Sequence, residues 1–299
     1  MMFHKWLYSL SIIFITTSAS NFSAAGSAVV NKASTNSGDV VSGLKNAYGD
    51  IEILNGGPQQ GSMILARLKG EGEVFYKQKK LPLTKEGLFV FGVGRDAPSS
   101  IELIVKKSNK SNVVPIKVKS REWKIERIDG LPPSKVTPKS KDVLARISRE
   151  AKLVKSARTL ESDSTFFTMA FIMPAEGRIS GVYGSQRVLN GQPKRPHYGL
   201  DVANKTGTPV IAPANGTVSL THPDMYYSGG TLVIDHGFGI SSTYIHLNSI
   251  SVKQGQKVLQ GDLIGTIGSS GRATGPHLDW RLNWFQTRLD PQLLIGGAN

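Results

Sequence analysis

The chain of 299 residues contains no cysteine. Disulfide frameworks, thiolate metal sites and cysteine nucleophiles are all excluded, so burial alone must hold the core. Acidic residues are sparse: 22 Asp and Glu stand against 36 Lys and Arg, a formal charge of +14 at pH 7. Histidine is rarer still, with six in all. Beyond the N-terminal segment no apolar run approaches the roughly 20 residues that a membrane-spanning helix needs.

The N-terminal segment reads "MMFHKWLYSLSIIFITTSASNFSAAGSA". A basic start (His4, Lys5) precedes an apolar run from Leu7 to Ile15 and then small residues. That is the layout of a secretory signal peptide, assigned to residues 1–25, with Ala19, Ala25 and Ala28 as candidate cleavage positions. The run is too short to span a bilayer comfortably, so export of a mature chain without a transmembrane segment is expected, with an uncleaved anchor as the alternative. Between Lys106 and Arg158 there are 16 Lys or Arg against 5 Asp or Glu. In an exported protein such a stretch can contact anionic envelope polymers or lipid headgroups, or serve as a solvated linker and helix face. Export leaves no nucleic acid partner.

Five zones follow from the patterning. After the signal peptide, residues 26–47 are rich in Ser, Asn, Gly and Ala without an apolar period, and read as a flexible leader. Residues 48–127 hold short β-branched runs ("IEIL", "SMILARL", "EVFY", "LFVFGVG", "IELIV", "VVPIKVK") separated by turn residues. They predict a small all-β domain, compatible with an immunoglobulin-like sandwich. Residues 128–160 form a Pro-punctuated linker and one helix, with Leu144, Ile147, Ala151 and Val154 on one face and Ser140 as N-cap. The helix is expected to pack between the domains. Residues 161–299 return to strands broken by glycine, so the fold class is all-β.

The chemistry gathers in this last zone, which holds His197, His222, His236, His246 and His277. "RPHYGLD" sets His197 and Asp201 four apart, "TYIHL" supplies His246, and "GPHLD" supplies His277 and Asp279. Imidazole and carboxylate are donors that zinc accepts, and a catalytic zinc takes three protein ligands. In "TGPHLDWRLNW", period two puts His277, Asp279, Arg281 and Asn283 on one face, and Leu278, Trp280, Leu282 and Trp284 on the other. The second face is a core face. The first reads as either a salt-bridged strand edge or one wall of an active site. His236 reads as a structural hydrogen-bonder and His222 as a loop residue. Tyr226, Tyr227 and Trp284 are candidates for the core or for a substrate cleft. "GSSGRATG" lacks a following helix and reads as a turn, not a phosphate loop.

"GRISGVYGSQRVLNGQPKRPHYGLDVANKTGTPVIAPANGTV", "GGTLVIDHGFGISSTYIHL" and "VKQGQKVLQGDLIGTIGSSGRATGPHLD" together resemble the LytM/lysostaphin-type zinc metallopeptidases that cut peptidoglycan. The resemblance implies a β-sheet groove with zinc on its floor. It implies His197 and Asp201 as metal ligands, and His246 and His277 as catalytic residues. At Asp279 the family has histidine. An Asp Oδ can approach the place of a His Nδ1 and complete a His-Asp-Asp zinc set, or Arg281 can capture the carboxylate in a bidentate pair. The resemblance implies a periplasmic zinc endopeptidase acting on amide bonds of stem peptides or cross-links, with peptidoglycan as its partner. The alternative is a catalytically inactive LytM-type domain that binds and activates a cell-wall amidase.

Overall fold

The structure, a computed structural model, describes residues 47–55, 57–128, 140–189 and 191–295. The signal peptide, the leader up to residue 46 and the Pro-punctuated linker at 129–139 lie outside the described residues. Among the described residues no helix is long and apolar enough to cross a membrane.

The first eight strands are β1 (Ala47–Tyr48), β2 (Ile51–Asn55), β3 (Met63–Leu68), β4 (Glu73–Tyr76), β5 (Lys79–Lys80), β6 (Leu88–Gly92), β7 (Ser100–Lys107) and β8 (Lys110–Lys117). They form two four-stranded sheets, β1-β2-β3-β6 and β5-β4-β7-β8. Alternation explains the burial: in β7, Ile101, Leu103 and Val105 point inward while Ser100 and Glu102 face solvent. Pro115 is tolerated because β8 is an edge strand.

Next come β9 (Ile125–Ile128) and α1 (Lys141–Ala157). Ser140 occupies the N-cap position, but its side chain makes no capping hydrogen bond. The apolar stripe of α1 is only partly used. Leu144 and Ala151 are exposed and Ile147 and Val154 half-buried, because the helix docks through its last turn. There Ala157 joins Leu220, Met225 and Val233, and α1 lies on two strands of the C-terminal sheet.

The chain continues through β10 (Arg178–Gly181), β11 (Gln186–Leu189), β12 (Gln192–Pro193), β13 (Leu200–Ala203), β14 (Pro209–Ile211), β15 (Gly216–Met225), β16 (Gly229–Gly237) and β17 (Ile240–Ile250). The remaining elements are β18 (Lys257–Val258), β19 (Leu263–Ile267), β20 (His277–Trp284), β21 (Thr287–Leu289) and a final turn of helix, α2 (Gln292–Ile295). The main sheet runs β10-β13-β20-β17-β16-β15-β18, with β19 also on β17 and β21 on β20. β11, β12 and β9 make a separate small sheet, in which β9 pairs in parallel with β11.

The sandwich and the C-terminal sheet share one continuous core. Trp284 stands at the junction, with its ring centroid 5.7 Å from that of Tyr76. Gly92 is required there, since a Cβ would press on Trp284 at 2.9 Å. Arg121 adds an ion pair to the buried Asp290 at 2.8 Å, and its guanidinium lies over the Trp123 ring.

His236 lies wholly inside this core. Its Nδ1 donates to the Asn215 carbonyl at 2.7 Å, leaving Nε2 to accept from the Ser242 hydroxyl, which in turn meets Tyr244 Oη at 2.8 Å. Burial holds its pKa down to about 4, against an ordinary 6.5. Between these two values the unfolded chain binds the extra proton. The contribution to stability is therefore complete above pH 6.5 and declines as pH falls toward 4, by about 3 kcal/mol in all. His236→Asn keeps a donor for the Asn215 carbonyl but does not titrate. Chemical denaturation at a series of pH values should show a flatter acid limb for this variant than for wild type. Parallel profiles would contradict the assignment.

Candidate metal centre

Strand β20 sets the site. Leu278, Trp280 and Leu282 are fully buried, which turns His277, Asp279, Arg281 and Asn283 to the opposite face. On one side β13 pairs in the register Leu200↔Trp280 and Asp201↔Asp279. The two carboxylates are thus cross-strand neighbours on one face. His197 precedes β13 and is fixed by its backbone, whose N–H donates to the Ser185 carbonyl at 2.7 Å and whose carbonyl accepts from Gly184 at 2.8 Å.

His197, Asp201 and Asp279 each offer a ligand atom, all within 4.8 Å of one another. His197 Nε2 and Asp201 Oδ1 lie 3.2 Å apart, yet both are sealed from the surface and neither has a hydrogen-bond partner. Two orphaned, lone-pair-bearing atoms at one buried point are what a cation would satisfy. The cradle is cut to the same purpose. A Cβ on Gly199 would overlap the Asp279 carboxylate, and one on Gly181 the Asp201 carboxylate. Burial works against a proton on His197, but Asp201 and Asp279 outweigh it and raise its pKa. In charge terms the pocket calls for a positive group.

The pair between Asp279 and Arg281 is present. Arg281 Nε donates to Oδ1 and Oδ2 at 2.9 and 3.1 Å, and Nη2 donates to Oδ2 at 2.5 Å. Burial opposes ionisation of Asp279, and the guanidinium overcomes it, so the carboxyl stays below its ordinary pKa. A carboxylate carries about four lone-pair sites, and three contacts from one side leave Oδ1 with capacity to spare. Capture by Arg281 and ligation of a metal are therefore compatible. The residues fit a zinc ion by donor type and by number.

His246 arrives by an irregularity that alternation alone does not reveal. Period two from the buried Tyr244 would send it into the core. Instead the β16–β17 register shifts between Leu232↔Tyr244 and Gly230↔Leu247, a bulge in which His246 adopts φ +65°. Its N–H donates to the Ser228 carbonyl at 2.8 Å, and its ring turns to His277, with centroids 4.8 Å apart. A β-branched-free but bulky residue at positive φ is a local strain of the kind found at functional sites.

Both imidazoles are held by backbone carbonyls of the 268–275 turn. His246 Nδ1 lies 2.8 Å from the Ser270 oxygen, and His277 Nδ1 lies 2.8 Å from the Gly275 oxygen. A carbonyl oxygen only accepts, so each Nδ1 carries its hydrogen and each Nε2 lone pair is left for the site. Burial lowers the pKa of His246, which favours the neutral ring.

The other candidates lie elsewhere. His236 is the core hydrogen-bonder described above, and Trp284 is core. His222 accepts from the Asp224 N–H at 3.1 Å on the α1 side of the sheet. Tyr227 is half-buried, with its backbone carbonyl accepting from Arg272 and the Arg272 guanidinium 4.3 Å from its ring. The "GSSGRATG" stretch is a turn as expected, but its function as holder of both imidazoles uses backbone carbonyls, which no side-chain motif announces.

Residues 195–291 match peptidase family M23. Over 109 residues the chain is 45% identical to the peptidoglycan DD-endopeptidase ShyA of Vibrio cholerae, covering 35% of this chain and 24% of the relative. Over 103 residues it is 39% identical to the DD-carboxypeptidase/endopeptidase Mpg of Neisseria meningitidis, covering 34% of this chain and 24% of the relative. The matched part thus spans about a quarter of the length of these curated relatives. A crystal structure of a candidate M23 peptidase from Pseudomonas aeruginosa superposes with a TM-score of 0.64 at 30% identity, covering 81% of this chain and 97% of that one. That likeness takes in the sandwich as well as the site-bearing sheet. By both sequence and architecture the chain belongs to peptidase family M23.

Proposed function

We propose that this protein is a zinc-dependent endopeptidase that hydrolyses amide bonds in peptidoglycan stem peptides or cross-links, working at the cell envelope after export. The observation that carries the reading is the convergence of orphaned His197 Nε2 and Asp201 Oδ1 with Asp279, beside two imidazoles whose Nε2 atoms are left for a substrate. The relative named as a peptidoglycan DD-endopeptidase supports the same substrate class.

In this reading His197, Asp201 and Asp279 hold zinc, which supplies Lewis-acid polarisation of the scissile carbonyl and acidification of a water. Arg281 orients Asp279 through its two-pronged pair and keeps it ionised. His246 and His277 are general acid–base residues acting at Nε2. A neutral ring there takes the proton of the attacking water and passes one to the leaving nitrogen. The Ser270 and Gly275 carbonyls fix both tautomers, so the reactive nitrogen is aimed before substrate arrives. The inactive, amidase-activating alternative has no comparable use for two imidazoles locked in this way.

The purified chain should contain close to one zinc, and chelation should abolish hydrolysis of cross-linked peptidoglycan, with recovery on adding zinc. His197→Ala and Asp201→Ala should each lose the metal, read by elemental analysis after dialysis. A stoichiometrically metal-free wild type that nonetheless activates an amidase would establish the alternative.

His246→Ala and His277→Ala should retain zinc near the wild-type level while kcat falls by about 10²-fold or more, the range for loss of a general acid or base. Paired metal analysis and single-turnover kinetics separate the two roles. Loss of metal from either variant would reassign that histidine to ligation.

A further inference from the structure

A second group of buried polar atoms adjoins the centre, and of its members only Arg281 takes part in the chemistry above. Arg158, at the C-terminal end of α1, is only 6% exposed. Its Nη2 reaches Thr243 Oγ1 at 3.5 Å, and its Nε is buried without a hydrogen-bond partner. Thr243 pairs across the sheet with Arg281. One row further along, Ser241 pairs with Asn283 and Asn283 with Arg288, whose Nη1 donates to Asn283 Oδ1 at 3.2 Å. Ser241 Oγ is likewise buried without a partner.

Three guanidiniums thus share one end of the β17-β20-β21 face. The carboxylate bonded within this group is Asp279, which Arg281 holds. Arg158 and Arg288 have neutral oxygens for partners. Guanidiniums do not give up their protons, so among the described residues two cations remain without a bonded carboxylate in a largely desolvated place. Burial together with the neighbouring cations pushes Arg158 well below its ordinary pKa and Arg288 down to about 10, and both directions mark a place short of negative charge. A folded protein keeps such an arrangement where an anion completes it.

We propose that Arg158, Arg281 and Arg288, with Ser241, form a subsite for a carboxylate on the peptide substrate, one or two residues from the scissile amide. The inference rests on the peptidase reading given above. The spacing follows from the strand: Arg281 is two residues along β20 from Asp279, about 7 Å. Two residues of extended peptide cover that span, or one where the carboxylate sits at the end of a side chain. The fork of a guanidinium matches a carboxylate in two contacts, and a neutral amide in its place would leave the buried cations unmatched. The carboxylate can be the free C-terminus of a stem peptide or an acidic side chain next to the bond. Both present the same chemistry.

The test uses the full chain loaded with zinc and a synthetic stem peptide ending in D-alanyl-D-alanine, prepared as the free acid, as the C-terminal amide, and with any side-chain carboxylate amidated. Wild type should prefer a carboxylate-bearing form by about tenfold or more in kcat/KM, the scale of one charge-assisted contact. The form whose amidation abolishes the preference identifies the source. In Arg158→Gln, and independently in Arg288→Gln, the ratio of acid to amide should fall toward one. A second readout avoids turnover: thermal unfolding of the chelator-treated protein titrated with acetate, acetamide and chloride. Acetate should raise the midpoint in wild type and not in Arg158→Gln, and acetamide should do nothing.

Equal hydrolysis of acid and amide forms by wild type would overturn the subsite while leaving the peptidase reading intact. Absence of any hydrolysis, together with acetate stabilisation that Arg158→Gln removes, would overturn the peptidase reading and leave the carboxylate site standing. A chloride response equal to that of acetate would reduce the cluster to a simple anion site and overturn its assignment to substrate.

Discussion

The register of β20 is the constraint on which the rest depends. Its apolar face, Leu278, Trp280, Leu282 and Trp284, is driven into the core shared by sandwich and sheet. A slip of one residue would expose two tryptophans and bury a histidine, a carboxylate and a guanidinium among aliphatic side chains. With that slip forbidden, Asp279 must lie opposite Asp201 on β13 and Arg281 opposite Thr243 on β17. The metal-binding candidates, the pair that steadies Asp279 and the guanidinium cluster all inherit their places from this one strand.

The glycines beside the site show how little room the arrangement leaves. At Gly199 and Gly181 the carboxylates of Asp279 and Asp201 occupy the space a side chain would need. Neither glycine is there for a left-handed backbone. They are small because the donors must approach closely, so the backbone itself forms part of the cradle.

Much of this was legible in the sequence. The all-β class, the runs that became β2, β3, β4, β6, β7 and β8, and the two faces of β20 follow from alternation, because the side-chain period of a strand is fixed. The order His197, Asp201, His246, His277 and Asp279 marks candidates for the chemistry, since imidazole and carboxylate are donors that zinc accepts. What escaped was set by tertiary context. The exposed Leu144 and Ala151 of α1 follow an amphipathic pattern that the fold does not bury, since apolar docking uses only the last turn while Arg146 and Glu150 hold the middle of the helix through polar contacts to Asp224 and Tyr226. The bulge that turns His246 toward His277 depends on pairing with β16, and nothing in "TYIHL" declares it. Arg158 belongs to a charge run that looks like a solvated helix face, yet its side chain is buried against Thr243. Carbonyls that lock tautomers have no sequence signature.

The Asp279–Arg281 pair gives the centre its individual character. A His-Asp-Asp set carries two negative charges, which formally cancel those of zinc, while Arg281 draws electron density from one of the two carboxylates. The central claim is that both carboxylates, and a single imidazole, hold the metal. X-ray absorption spectroscopy of the zinc-loaded protein tests it most directly. One imidazole among the oxygen donors bound to zinc is expected, with zinc–oxygen distances of about 2.0–2.2 Å. Two or more imidazoles bound to zinc would mean that His246 or His277 is a ligand and Asp279 serves Arg281 alone.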